Sequence, residues 1–307
     1  MKNDQQSNEL LKHVNSSGFP FQQAVAECIN QSTSSHGWKV DVIEHRWRHP
    51  VLTRSGFIDI IASHKVKTIS LIVECKRLKD SALIFLTSKS LNEEMRSLSS
   101  FVVSRNVGSP FGENSEAVRS SFWWDLVCKS PTSFSSMFCS FKGQDERNPM
   151  LERISDDILP ATESVAIEYV QANKRVHSGE RCRLFMPIIV TNSKLFRCSF
   201  DASDISLSNG EIPDEAGTID EVPYIVFKKS LASHYDSFDR FNLNKNKSFV
   251  DVESISQSNE RSILLINSEH LTDAIRHIDF TPDSPIWQFS SHFSNASKTA
   301  SLYNQEI

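Results

Sequence analysis

Residues Gly56 to Leu78 constrain the fold of this chain more than any other stretch, because they hold two β-rich runs facing each other across a polar turn. The runs are Phe57-Ile58-Asp59-Ile60-Ile61 and Ile69-Ser70-Leu71-Ile72-Val73-Glu74-Cys75-Lys76. Both are dense in β-branched residues and bounded by polar ones, which is the pattern of strands. A tight turn centred on Val66 and Lys67 sets Asp59 opposite Glu74. Directly opposed residues have Cβ atoms roughly 4.5–5.5 Å apart, close enough for two carboxylates to share a divalent cation. Lys76 follows Glu74 by two, so it shares that face. Two acids and a lysine therefore converge on one hairpin.

The rest of the chain is long enough to support such a site. With 307 residues and 39% apolar content it can bury a substantial core, as one large domain or two ordinary ones. No run approaches the roughly 20 apolar residues that span a bilayer, so no membrane partner is expected. The N-terminal Met-Lys-Asn-Asp-Gln-Gln-Ser has no apolar signal region, which makes a cytoplasmic location the expectation. Cys28, Cys75, Cys128, Cys139, Cys182 and Cys198 form no Cys-x-x-Cys pair and read as reduced thiols rather than a zinc cluster or disulfide frame. The net charge of −5 is uneven: residues 1–200 carry +4 and residues 201–307 carry −9. A mildly basic surface near the hairpin is compatible with that distribution.

Taken in order, residues 1–17 are polar and read as frayed or as a short lead-in helix. Pro20 opens a helix with Phe21, Ala24, Val25, Cys28 and Ile29 on its apolar face and Glu27 on the flank, either as an exposed charge or as a site acid. Lys39 to Trp47 alternates as a first strand ahead of the hairpin. His45, His49 and His64 lack the spacing of metal ligands and read as surface or strand-edge residues. Glu116 to Val127 reads as a buried helix. Phe134, Met137, Phe138 and Phe141 are core aromatics and methionine or, in a second reading, a base-stacking platform. A helix capped near Thr162 or Ser164 carries Val165, Tyr169, Ala172 and Val176 on one face; its polar face is solvated or meets phosphate. Cys182 to Asn192 reads as a buried strand, with Lys194 to Phe200 as its hairpin or extended partner. Strands at 222–229 and 261–267 and a short helix capped by Ser268 follow. There is no internal repeat and no Gly-rich phosphate loop.

Asp59, a hairpin-length spacer and then Glu74-Cys75-Lys76 resemble the signature of the PD-(D/E)XK, or restriction-endonuclease-like, nuclease superfamily. The elements also come in that fold's order: a helix with an acid, three strands with the motif on the second and third, a helix near 162–176, and a buried fourth strand. Asp59 departs from the pattern in lacking a preceding proline. The resemblance implies an α/β fold with a mixed central β-sheet flanked by helices. It spans 18–200 as the nuclease-like core, interrupted by a helical and aromatic insertion at 81–158, with an acidic α+β extension at 201–307 packed on the core. It implies a Mg²⁺-dependent phosphodiesterase, with Mn²⁺ as substitute, acting on nucleic acid and DNA foremost, as an endonuclease of a bacterial restriction or anti-phage defence system. Asp59, Glu74 and the Cys75 backbone carbonyl would hold the metal, Glu27 would complete its shell, and Lys76 would orient the attacking water. A homodimer, or a partner protein bound through the C-terminal region, is also implied.

Two further readings of the same residues stay open. Asp59, Glu74 and Lys76 could form a salt-bridge network, although burying charges costs several kcal/mol each unless well compensated. Alternatively, a subunit could keep the fold to bind nucleic acid or protein without cutting.

Overall fold

A computed structural model of the chain describes residues 2–49, 52–65, 69–78, 82–88, 97–106, 114–123, 128, 132–141, 150–173, 182–230 and 260–278. The hairpin lies where the sequence places it. Strand β1 (Trp38–Arg48) pairs antiparallel with β2 (Ser55–His64), which pairs antiparallel with β3 (Ile69–Lys76). The register Ile60 to Val73, Ile61 to Ile72 and Ala62 to Leu71 is the one a turn at Val66–Lys67 dictates, and continued by one residue it sets Asp59 against Glu74.

Strand β3 continues the sheet through β9 (Cys182–Thr191), laid parallel to it from Ile69 with Leu184 to Lys76 with Thr191. Beyond β9 come β13 (Glu260–Asn267), parallel, then β12 (Tyr224–Ser230) and the short β7 (Phe134–Ser135). Strands β5 (Ser97–Asn106) and β6 (Asn114–Trp123) form a hairpin that joins the start of β9 through β5. The protein is therefore α/β, with a mixed sheet flanked by helices. A second sheet holds β11 (Thr218–Val222), β10 (Lys194–Phe200), β4 (Ala82–Ser88) and β8 (Met137–Phe141) in that order.

Helices cover both faces of the main sheet. On one face lie α2 (Phe19–Gln31) and α5 (Leu271–Arg276), burying Val25, Ile29, Leu271 and Ile275 against Ile60, Leu71, Val73 and Val190. Trp38 is fully buried there, its indole N–H donating to the Ile275 carbonyl at 2.9 Å. On the other lies α4 (Met150–Asn173), burying Ile154, Ile158, Val165 and Val170 against Ile61, Ile72, Phe185 and Ile189. The lead-in segment is a helix, α1 (Lys2–Ser16), and α3 (Thr33–His36) is a single turn.

Several expectations are corrected. Glu116 to Trp123 is strand rather than helix, because it pairs residue for residue with β5; residues 124–127 lie outside the described ones. The segment read as a helical insertion thus contributes strands to both sheets. Strand β10 is not the hairpin partner of β9 but crosses to the second sheet, beside β4 and β11. Residues 224–230 and 260–267 are not an appended extension: β12 and β13 complete the main sheet. Phe134 is buried, and Phe138 stacks edge-on to Phe227 with ring centroids 5.5 Å apart, so both are core. A 3₁₀ turn at Ser268–His270, capped by Asn267 whose side chain accepts from the Glu269 N–H, precedes α5, so Ser268 is not the cap.

Pro160 sits inside α4 instead of ahead of it, and the reason is local. Proline has no N–H, so the carbonyl of Asp156, four residues earlier, lacks its helical donor. Arg54, just before β2, supplies one: its Nη1 lies 2.9 Å from the Asp156 oxygen. Arg54→Met is expected to cost about 1–3 kcal/mol by orphaning that carbonyl. The loss should shrink in a Pro160→Ala background, where a backbone N–H is restored. Urea unfolding of the double-mutant cycle measures this; equal losses in both backgrounds would refute the account.

Candidate functional site

Alternation along a strand normally sends residues two apart to the same face. In β2 this breaks at Asp59: Ile60 packs on the α2 side of the sheet and Ile58 on the α4 side. The partner strand shows why. Glu44, between Ile43 (opposite Ile60) and His45 (opposite Ile58), has φ of 58°. That left-handed backbone is uncommon for a residue with a Cβ and marks a locally constrained position. At this inflection the Asp59 side chain turns toward β3, and its Oδ2 accepts the Cys75 N–H at 2.7 Å.

On β3, Glu74 and Lys76 face α4, and Lys76 Nζ lies 2.7 Å from Glu74 Oε1. Cys75 points the other way, and its side chain packs with the α2-side core. Burial pushes the Cys75 thiol well up, with the Asp59 and Glu74 charges adding to it, so it is a neutral filler and not a nucleophile. Asp59, Glu74 and Lys76 thus meet at the mouth where β2 and β3 diverge.

Their electrostatics are those of a cluster short of positive charge. Burial, and then the Asp59 carboxylate, push Glu74 up to about 7, and the Lys76 ammonium only partly offsets this; Asp157 on α4 pushes the same way. Asp59 is raised as well, chiefly by burial and then by Glu44, against the pull of the Cys75 N–H and Lys76. Burial also works against the Lys76 ammonium, but Glu74 and Asp59 together more than compensate and hold it above its usual range.

Glu27 is not brought to this cluster. It is exposed and accepts from Gln31 Nε2 at 2.9 Å. The face of α2 that meets the sheet is Gln22, Val25, Ala26 and Ile29, rotated from the one marked by Ala24 and Cys28. The helix residue that does reach the site is Gln22, 3% exposed, whose Nε2 donates to the Asp59 carbonyl at 2.9 Å and to Glu44 Oε1 at 2.7 Å. Gln22 and Glu44 were invisible in the sequence: a glutamine among apolar residues reads as the wet side of a helix, and nothing marks Glu44 as left-handed. His45 and His49 meet carboxylates on α4, Glu168 at 2.9 Å and Glu163 at 3.4 Å, while His64 Nε2 lies 3.1 Å from the His36 carbonyl.

Among the described residues, no set of three or more His, Cys, Asp or Glu side chains is gathered to hold a metal ion unaided. The two-carboxylate arrangement nonetheless fits Mg²⁺, which is commonly bound through one or two carboxylates with water and phosphate oxygens completing its shell. A divalent cation at Asp59 and Glu74 would supply the charge that Lys76 alone does not. No family model matches this chain, and neither does any curated protein or solved structure. No helix among the described residues is long and apolar enough to cross a membrane.

Proposed function

We propose that this protein is a metal-dependent nuclease of the PD-(D/E)XK type, hydrolysing phosphodiester bonds of nucleic acid, with DNA as the first candidate and defence against phage as the first candidate setting. The observation that carries the reading is the convergence of Asp59, Glu74 and Lys76 where β2 and β3 part, with Lys76 Nζ 2.7 Å from Glu74 and Asp59 fixed by the Cys75 amide. The order α2, β1, β2, β3, α4, β9 supports a restriction-endonuclease-like core. Interior strands rich in Ile, Leu and Val keep such charges at a cost of several kcal/mol each, which function explains more readily than stability.

Asp59 and Glu74, with the Cys75 carbonyl, would hold Mg²⁺, which when bound would neutralise charge on the scissile phosphate. The residues of the chain have separate tasks. Lys76 holds a proton-rich ammonium at the mouth of the cluster, suited to orienting an attacking water and to balancing charge on the phosphate as it grows. The Cys75 amide fixes the Asp59 rotamer, so that carboxylate needs no reorganisation. Gln22 pins the Asp59 backbone from behind.

A second reading, a nuclease fold that binds nucleic acid or protein without cutting, draws on the fact that Lys76 and Glu74 already satisfy each other. One experiment separates the two. Purified protein is incubated with plasmid, linear duplex, single-stranded DNA and RNA in Mg²⁺, Mn²⁺ or EDTA. Metal-dependent cutting is expected, and no cutting of any substrate would overturn the nuclease reading.

A further inference from the structure

The hairpin carries a second feature, on the opposite side from Glu74 and Lys76. Trp47 is 3% exposed and packs into the α4-side core, where Gly56 makes room for it: a Cβ there would come within 3.1 Å of its indole nitrogen. By strand alternation Arg46 and Arg48, on either side of Trp47, share the other face. Phe57 is the cross-strand partner of Arg46, and Ser55 that of Arg48, so Phe57 and the two arginines form one patch. Both arginines are exposed, and Phe57 is 59% exposed although it lies in a strand. Among the described residues neither guanidinium is paired with a carboxylate. Phe57 is two residues from Asp59, on the order of 7 Å along the strand.

A bare aromatic ring on a rigid strand, bracketed by two exposed guanidinium groups at the same end of the sheet as Asp59, suits a nucleobase with its flanking phosphates. A ring offers every base a π-face, and guanidinium groups bind phosphate oxygens or stack in turn. An exposed hydrophobic side chain alone would carry no meaning; the two exposed arginines flanking it and the position two residues from Asp59 supply it. Resting on the nuclease reading above, we propose that Phe57, Arg46 and Arg48 grip one unpaired base and its adjoining phosphates at the end of the sheet where β2 and β3 part, on the face away from Glu74 and Lys76, where a nucleic-acid strand leaving the site rounds that end. The preferred substrate is then single-stranded or locally opened nucleic acid rather than intact duplex.

The test is binding without cleavage. Full-length protein in EDTA is titrated against fluorescein-labelled single-stranded and duplex DNA oligonucleotides, and against a single strand carrying 2-aminopurine. Wild type is expected to prefer the single strand and to quench 2-aminopurine. Phe57→Ala should weaken single-strand binding about tenfold and abolish the quenching, and Phe57→Trp should restore both. Arg46→Ala and Arg48→Ala should each lower the salt dependence of binding by roughly one phosphate contact. All these positions are exposed, and thermal melts confirm that the variants fold. If wild type binds and cuts but Phe57→Ala matches it, or loses duplex and single strand equally, the gripping patch is refuted and the nuclease reading stands. If wild type binds no oligonucleotide, the gripping patch is refuted, and the cleavage assay in Mg²⁺ and Mn²⁺ alone decides the nuclease reading. A patch that instead mediates self-association, with Phe57→Ala becoming monomeric on sedimentation while DNA binding is unchanged, also overturns it.

Discussion

Lys76→Ala is expected to lower metal-dependent strand cleavage by at least about 10²–10³-fold, the usual cost of removing one preorganised charge or donor from a reacting centre. The fold should survive, because the Lys76 side chain is 38% exposed and its head group leaves the mouth of the cluster rather than the packed interior. Asp59→Asn should be as severe for a different reason. It keeps an oxygen for the Cys75 N–H but removes one of the two charges that would bind the cation, so its defect should include weaker Mn²⁺ binding measured directly by calorimetry. Lys76→Ala should leave metal affinity equal or higher, since an ammonium competing for Glu74 has gone. Cleavage of all substrates at the wild-type rate by Lys76→Ala would end the catalytic assignment.

Glu74→Gln should produce the largest gain in stability, at the expense of activity. Burial and Asp59 raise the folded-state ionisation of Glu74 to about 7 from an ordinary value of 4.5. A carboxyl that holds its proton more tightly in the folded chain contributes its full stability below about pH 4.5. That contribution is lost as pH rises toward 7, and above it the fold carries a buried, under-compensated charge. The difference corresponds to something on the order of 2–3 kcal/mol at pH 8. In metal-free buffer, Glu74→Gln should therefore be more stable than wild type at pH 8 and close to it at pH 4.5. Mg²⁺ should recover part of the gap for wild type only. Denaturant titrations at the two pH values in EDTA measure this; a Gln variant no more stable than wild type at pH 8 would show that Lys76 already neutralises the site. Catalytic residues commonly trade stability for function in this way.

The parts of the fold legible in the sequence were those fixed by short-range pattern. The β2–β3 register followed from β-branched runs and the length of one turn, β1 was legible as a strand by its alternation, and β9 followed from an unbroken apolar stretch. What escaped depended on partners far along the chain. Glu116 to Trp123 has the apolar spacing of a helix, but eight successive pairings with β5 decide it as strand. Pro160 reads as a helix boundary unless Arg54, more than a hundred residues earlier, is known to supply its missing donor. Of the site, Asp59, Glu74 and Lys76 could be read because their spacing alone brings them together. Gln22 could not, since a shift of one position in the buried face of α2 decides whether Gln22 or Glu27 meets the sheet.

The parallel junctions of the sheet bear on how the protein comes into being. Strand β3 can fold against β2 as soon as the hairpin leaves the ribosome, but its other edge waits for β9, which pairs Ile69 with Leu184. Strand β9 in turn waits for β13, which pairs Ile188 with Leu264. At synthesis rates of about 5–20 residues per second, each wait lasts on the order of ten seconds. During that time an apolar strand edge next to the acid–lysine cluster is open to any neighbouring chain. The cluster is therefore made early, yet the strand edge beside it stays open until β9 has been synthesised more than a hundred residues later. Yield of soluble protein should depend more on slow synthesis and low temperature than on the stability of the finished fold.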